Sequence, residues 1–253
     1  MANLLQKKVD VQVVSYHDLT SGIESMFRPS DWIEGAATVS AMASGILYLH
    51  GLASSPRGRK RAVLEDRFAP DGFEIVAPDL NVPSFRKLSF EEMVATAREA
   101  CDRARPRVVV GSSLGALVAL SLSESLSSSS PPLVLVAPAL GFHERWKEKL
   151  PDGEEFDLFH HGEERPLPIH RRFFEEMALV DVGETPPPVP VSVVMGTEDE
   201  TVPFDQVAAA WARWEGSGRL AKGSRFHRVP GGDHGLVAHG AEIESAVRER
   251  MAG

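Results

Sequence analysis

Val108-Val109-Val110-Gly111-Ser112-Ser113-Leu114-Gly115 is the stretch on which the reading of this chain turns. Three consecutive β-branched apolar residues read as a strand buried on both faces, and from Leu114 small and apolar residues continue with helical spacing. Between strand and helix stands G-x-S-x-G. A serine in so tight a turn needs near-absent side chains on either side, which explains Gly111 and Gly115, and the turn lifts its hydroxyl above the sheet. The helix that follows aims its first N–H groups and the positive end of its dipole at the same spot, favouring a developing negative charge there. Ser113 is therefore the candidate nucleophile, while Ser112 is expected to point elsewhere and to be structural.

Outward from this turn, from residue 46 onward, short Val-, Ile- and Leu-rich runs alternate with longer segments of helical period. Strands are expected over 46–50, 73–77, 108–111, 133–137, 189–195 and 225–229, and helices over 59–68, 89–103, 114–126, 204–214 and 236–251. Ser89 with Glu92 three residues on reads as a capping box. The rhythm is that of an α/β fold, a mainly parallel sheet with helices on both faces. With 253 residues, 43% of them hydrophobic, the chain is expected to form a single α/β domain over 1–253. Two stretches break the rhythm. Residues 140–188, with Phe142, Trp146, Phe156, Phe159, Phe173 and Phe174 among charged residues, read as a cap insertion where open α/β sheets bind ligands, although the same aromatics would serve to pack that insertion down. Residues 1–45 read as an N-terminal extension with one strand over 9–15. The serine run 127–130 before Pro131 and Pro132 reads as a solvated loop.

A serine hydroxyl is a poor nucleophile at neutral pH, so the chemistry demands a base within hydrogen-bond reach and a carboxylate to hold that base's tautomer. His234, in the glycine-rich Gly231-Gly232-Asp233-His234-Gly235 after the last strand, is the candidate base. After the strand over 189–195, Glu198, Asp199 and Glu200 compete for the carboxylate role, with Asp233 a further candidate whose place beside the histidine suits it poorly. An oxyanion formed on acyl attack needs two converging backbone donors. Leu114 N–H is one, and Leu52 N–H, in the loop His50-Gly51-Leu52 after the first strand, is the other. Gly51 lets that backbone approach, and His50 is expected to hold the loop by hydrogen bonding.

Taken together, Leu49-His50-Gly51, Gly111-Ser112-Ser113-Leu114-Gly115, the 196–203 loop and Gly232-Asp233-His234-Gly235 resemble the α/β-hydrolase superfamily. The run 49–56 further resembles small bacterial esterase-like hydrolases with an L-H-G-x-x-S-S-P loop. Within that resemblance Asp199 is the preferred acid, because Gly196, Asp199, Val202 and Pro203 match the G-x-x-D-x-x-V-P loop of these hydrolases. The resemblance spans roughly residues 46 to 250 and implies hydrolysis of an ester or thioester of a small molecule through an acyl-enzyme, with no cofactor. It departs in the first 45 residues and in the cap, so substrate class does not carry over. A serine peptidase for short peptides and a non-catalytic binding protein on the same fold are the rival readings.

The bulk numbers narrow the partners. A formal net charge of −9 argues against nucleic acid, whose phosphates are held by clustered Lys and Arg. Cys101 is the one cysteine, so no internal disulfide is possible. His160, His161 and His170 lack carboxylates at zinc-binding spacing, and no metal is expected. Arg57, Arg59, Lys60 and Arg61 could meet an acidic substrate but read more simply as a solvated helix face. No run approaches the ~20 apolar residues of a membrane span, and with no secretory signal a cytoplasmic protein is the expectation.

Overall fold

The computed structural model describes residues 45–252, so the strand expected over 9–15 lies outside the described residues. Within them, β1 (Ile46–Leu49), α1 (Arg59–Phe68), β2 (Ile75–Val76), α2 (Phe90–Ala104), β3 (Val108–Ser112), α3 (Leu114–Leu126) and β4 (Leu133–Val136) follow in βαβ alternation. α4 (Phe142–Trp146), the strands β5 (Glu155–His160) and β6 (Arg165–His170) and α5 (Arg172–Met177) intervene before β7 (Val191–Gly196), α6 (Phe204–Gly216), β8 (Arg225–Val229) and α7 (Gly240–Ala252) resume it. Six strands form one parallel sheet in the order β2-β1-β3-β4-β7-β8.

Every residue of β1, β3, β4 and β7 is buried. A strand buried on both faces cannot alternate apolar with polar, which is why these segments are mostly Val, Leu and Ile. The cover is divided. α3, with α2 beside it, packs against β1, β3 and β4, and α7, with α1 beside it, packs against β3, β4 and β7. α3 is wedged so deeply that Leu114 through Leu120 are all buried, matching its nearly all-apolar composition.

Three elements differ from the sequence expectation. The strand expected over 73–77 shrinks to Ile75–Val76, which pairs on one side only among the described residues and has Pro78 two residues on. The helix expected over 236–251 breaks into a 3₁₀ turn at Val237–His239 and then α7, after Leu236 in a left-handed conformation (φ 49°). The serine run also coils into a 3₁₀ turn over Ser127–Ser129, and Ser130 is buried rather than solvated. At the start of α2 the capping box is half realised. Ser89 Oγ accepts the Glu92 N–H at 3.5 Å, but Glu92 does not take the Ser89 N–H in return, and α5 sends a carboxylate to the turn. Glu176 Oε1 takes the Ser89 hydroxyl at 3.2 Å and the Phe90 N–H at 3.1 Å, while the Ser89 N–H goes to the Val82 carbonyl.

Between β4 and β7, the antiparallel hairpin β5-β6 is flanked by two short helices. Elements this small cannot bury a core of their own, and aromatic rings supply one. Phe174 stacks on Phe142 at 5.9 Å between ring centres and touches Trp146 (4.7 Å), Phe156 (5.5 Å) and Phe173 (5.3 Å). Phe159 is left out, 49% exposed. Replacing Phe174 by alanine removes the ring common to these contacts and is expected to cost about 3–5 kcal/mol in urea unfolding. A loss under about 1 kcal/mol would mean that the aromatic cluster does not hold the insertion down.

Candidate active site

At the end of β3 the chain turns into α3 through Ser113, whose φ of 54° and ψ of −117° lie outside the regions an L-residue prefers. Packing imposes that conformation. A Cβ on Gly115 would stand 2.2 Å from the Leu49 carbonyl oxygen, and one on Gly111 would stand 2.5 Å from the Gly115 oxygen. The first turn of α3 can therefore press against the end of β1 only with hydrogen at both positions. The turn is then pinned by Ser113 N–H to Val136 O at 3.0 Å and by Ala139 N–H to Ser113 O at 3.1 Å.

Loops after β7 and β8 bring two further side chains to this hydroxyl. His234 Nε2 lies 3.1 Å from Ser113 Oγ, and His234 Nδ1 lies 2.8 Å from Asp199 Oδ2. The Asp199 carboxylate is fully buried, and its other oxygen accepts the N–H groups of Thr201 (2.9 Å) and Val202 (2.8 Å). With both oxygens accepting, Asp199 fixes the proton of His234 on Nδ1, which leaves the Nε2 lone pair facing the serine. Glu198 and Glu200 are exposed, and Asp233 accepts the Leu236 N–H at 2.7 Å, capping its own loop. Of the competing carboxylates, Asp199 alone meets the imidazole.

The loop after β1 lies against the same serine: a Cβ on Gly51 would be 3.1 Å from Ser113 Cβ. His50 is buried, and its ring sets this loop. Leu80 N–H approaches Nε2 at 2.9 Å, with Asp79 Oδ1 3.4 Å from the same nitrogen, and Nδ1–H donates to the Gly51 carbonyl at 3.0 Å. In a trans peptide C=O and N–H point in opposite directions. Holding the Gly51 oxygen therefore aims the Leu52 N–H the other way. Further along, Asn81 Nδ2 donates to Ser54 O (3.0 Å), and His161 N–H, from the β5-β6 turn, donates to Ala53 O (2.7 Å).

A cleft of about 1340 Å³ opens over Ser113 and His234. Leu52 of the β1 loop, Phe142, Trp146, Leu158 and Phe159 of the insertion and Val237 line its apolar parts. Two residues of its wall have a place that the sequence expectation did not give them. Lys60 is not on a solvated face: its Nζ donates to Ser112 Oγ and to the His234 carbonyl, both at 2.9 Å. Burial lowers its pKa to about 8, against the pull of Asp199 and Asp233, with Arg59 lowering it further. Helical spacing carries the signal that could have found it, since Lys60 stands four residues before buried Leu64 and eight before buried Phe68. Its neighbours Arg57 and Arg59 are exposed, and Arg61 pairs with Glu65 at 2.5 Å. The second missed residue is Arg145 of α4, which donates to the carbonyls of Ala139 (3.0 Å) and Leu140 and to Gln206 Oε1 (3.0 Å). Ser112, expected to be structural, is the acceptor for Lys60 and also lines the cleft. The insertion's histidines go separate ways: His160 packs edge-on against Phe85, His161 lies beside Phe159, and His170 faces Glu155.

A family model described as "Uncharacterised protein family (UPF0227)" matches residues 45–224. No curated protein matches the chain. Among solved structures it is similar to Est1E from Butyrivibrio proteoclasticus with ferulic acid bound, at 15% identity and a TM-score of 0.68 over 82% of this chain and 89% of that one. It is similar to mouse alpha/beta hydrolase domain-containing protein 10 at 19% identity and a TM-score of 0.62, covering 81% and 90% of the two chains. A third is the monoacylglycerol lipase of Paleococcus ferrophilus, at 18% identity and a TM-score of 0.60 over 81% and 94%. At these identities the likeness is one of fold, and the fold is that of the α/β-hydrolases. Among the described residues no helix is long and apolar enough to cross a membrane.

The buried ammonium of Lys60 leaves a trace in the pH dependence of stability. An unfolded chain keeps that proton up to about 10.5 and the folded one releases it at about 8, so between these values the unfolded state binds more protons. The contribution of this group to stability therefore rises with pH across that window. Urea unfolding in steps through the window is expected to show the rise in the wild type and a smaller one in Lys60→Met. Equal slopes in the two proteins would contradict the assignment.

Proposed function

The chain belongs to the uncharacterised UPF0227 family, and from its own site we propose that it is a serine hydrolase that cleaves an ester or thioester of a small molecule through an acyl-enzyme. The observation that carries the proposal is the unbroken chain from buried Asp199 through His234 to Ser113, at 2.8 and 3.1 Å, beneath an open cleft. Both ring nitrogens of one histidine are engaged in the sense that activates a hydroxyl, and a binding protein has no physical need for that arrangement.

In the proposed reaction His234 Nε2 takes the proton of Ser113 as Oγ forms a bond to the substrate's carbonyl carbon. The carbonyl π electrons move onto oxygen, where the N–H groups of Leu52 and Leu114 receive the charge. Collapse of this intermediate expels the alcohol or thiol, which takes the proton back from His234, and leaves Ser113 acylated. Water then repeats the sequence with the same base, releases the acid and restores the serine. Asp199 stays ionised throughout, its charge supporting the transient imidazolium. No cofactor or metal enters these steps. His50 is assigned to aim the Leu52 N–H, and residues 140–188 are assigned as the cap over the acyl or leaving group, a role supported by the insertion residues that line the cleft.

An ester or thioester rather than a peptide is favoured by the apolar wall that Leu52, Phe142 and Trp146 present beside Ser113. Est1E with ferulic acid bound and the monoacylglycerol lipase are in keeping with that reading, but at their identities they leave the acyl group open here.

Ser113→Ala is expected to abolish labelling by a fluorophosphonate, and Asp199→Asn to lower kcat for p-nitrophenyl butyrate by roughly 10³- to 10⁴-fold with a smaller change in KM. Labelling that persists in folded Ser113→Ala would remove the serine from the mechanism.

A further inference from the structure

Charge is distributed unevenly over the cleft wall. The carboxylates that line it, Asp79, Glu163, Glu164, Glu200 and Asp233, are all exposed, where water screens them. The two lining charges that lie half-buried are both cations, Lys60 and Arg145. Neither forms an ion pair among the described residues. Asp199 is the anion whose field reaches both, and its oxygens are already committed to His234, Thr201 and Val202. Withdrawing a charge from water is costly without a partner, and these two, partly withdrawn, face the cleft with no carboxylate of the described residues against them.

Arg145 also has the geometry to take one. A guanidinium carries five N–H donors in a rigid fork. Three are used: Nη1 donates to Leu140 O and Gln206 Oε1, and Nη2 to Ala139 O. These bonds lock the group in place against neutral acceptors. The Nε–H and one Nη2–H are accepted by no described residue, which leaves two of the five donors for a ligand such as a carboxylate, with its two oxygens. Arg145 stands near the chemistry, since Ala139, which holds it through its carbonyl, donates its own N–H to the carbonyl of Ser113, and both Arg145 and Ser113 line the cleft.

We propose that the cleft selects an ester or thioester that itself carries a carboxylate, and that Arg145 is the residue that receives this carboxylate. The assignment rests on the hydrolase reading above. Phe142 and Trp146, on the same short helix, supply an apolar surface for the carbon chain between the carboxylate and the scissile bond. Burial lowers the pKa of Arg145 to about 10, with Asp199 opposing, so the group is still charged at neutral pH and gains from an anion.

The test compares mono-p-nitrophenyl glutarate with p-nitrophenyl butyrate, esters of similar chain length with and without the carboxylate. Wild type is expected to favour the glutarate by roughly 10- to 100-fold in kcat/KM, as a charged bidentate contact would give. In Arg145→Met that ratio is expected to fall to near 1, with Arg145→Lys between. A ratio near 1 in wild type, or one unchanged in Arg145→Met, overturns the proposal. Should Arg145→Met fail to fold, the Tm of wild type decides: a rise with glutarate and none with glutaramide supports the site, and equal responses overturn it. Failure of the hydrolase reading looks different, since wild type would then neither label with fluorophosphonate nor turn over either ester, whatever glutarate does to Tm.

Discussion

Backbone crowding at the carboxyl ends of β1 and β3 is the constraint on which the rest depends. The two strands are parallel neighbours, and the first turn of α3 lies across the end of β1 at a distance that excludes a methyl group at Gly115. Hydrophobic burial of α3 drives this approach, and the lack of side chains permits it. The turn that carries Ser113 inherits its position from that contact. The same approach brings Gly51 against Ser113 Cβ, so the loop that offers Leu52 N–H and the turn that offers the hydroxyl are shaped by one packing event.

Around this contact the site gathers groups from the ends of five adjacent strands. His50 follows β1, Ser113 follows β3, Ala139 follows β4, Asp199 follows β7 and His234 follows β8. Carboxyl ends of a parallel sheet are where such convergence is possible, because every connecting loop opens on the same side. Lys60 ties two of these loops together from outside the sheet, bridging Ser112 and the backbone of His234. It holds by hydrogen bonds what the strands alone would leave to loop flexibility.

Local pattern made much of this legible. Continuous apolar runs revealed the central strands, and glycines flanking a serine or a histidine marked the turns at Ser113 and His234. What stayed hidden depended on distant partners. Lys60 and Arg145 are ordinary surface residue types, and only the fold brings Ser112, the His234 carbonyl and Ala139 within their reach. Glu176 capping α2 from 87 residues away is the same kind of fact, invisible to a rule that looks three residues ahead. Asp199 was separable from Glu198 and Glu200 only through a resemblance, since burial and a hydrogen bond to His234 are what distinguish it.

The bond from His161 N–H to the Ala53 carbonyl joins the tip of the β5-β6 hairpin to the loop that carries Leu52. A flap that swings independently of the catalytic floor would need a free hinge at this point, and here the two are stitched together. Insertions or deletions in the hairpin would therefore be transmitted to the loop beside Ser113. On the proposed mechanism, selectivity and turnover would drift together in descendants of such a chain, because the hairpin over the cleft and the backbone assigned to the oxyanion would share a seam.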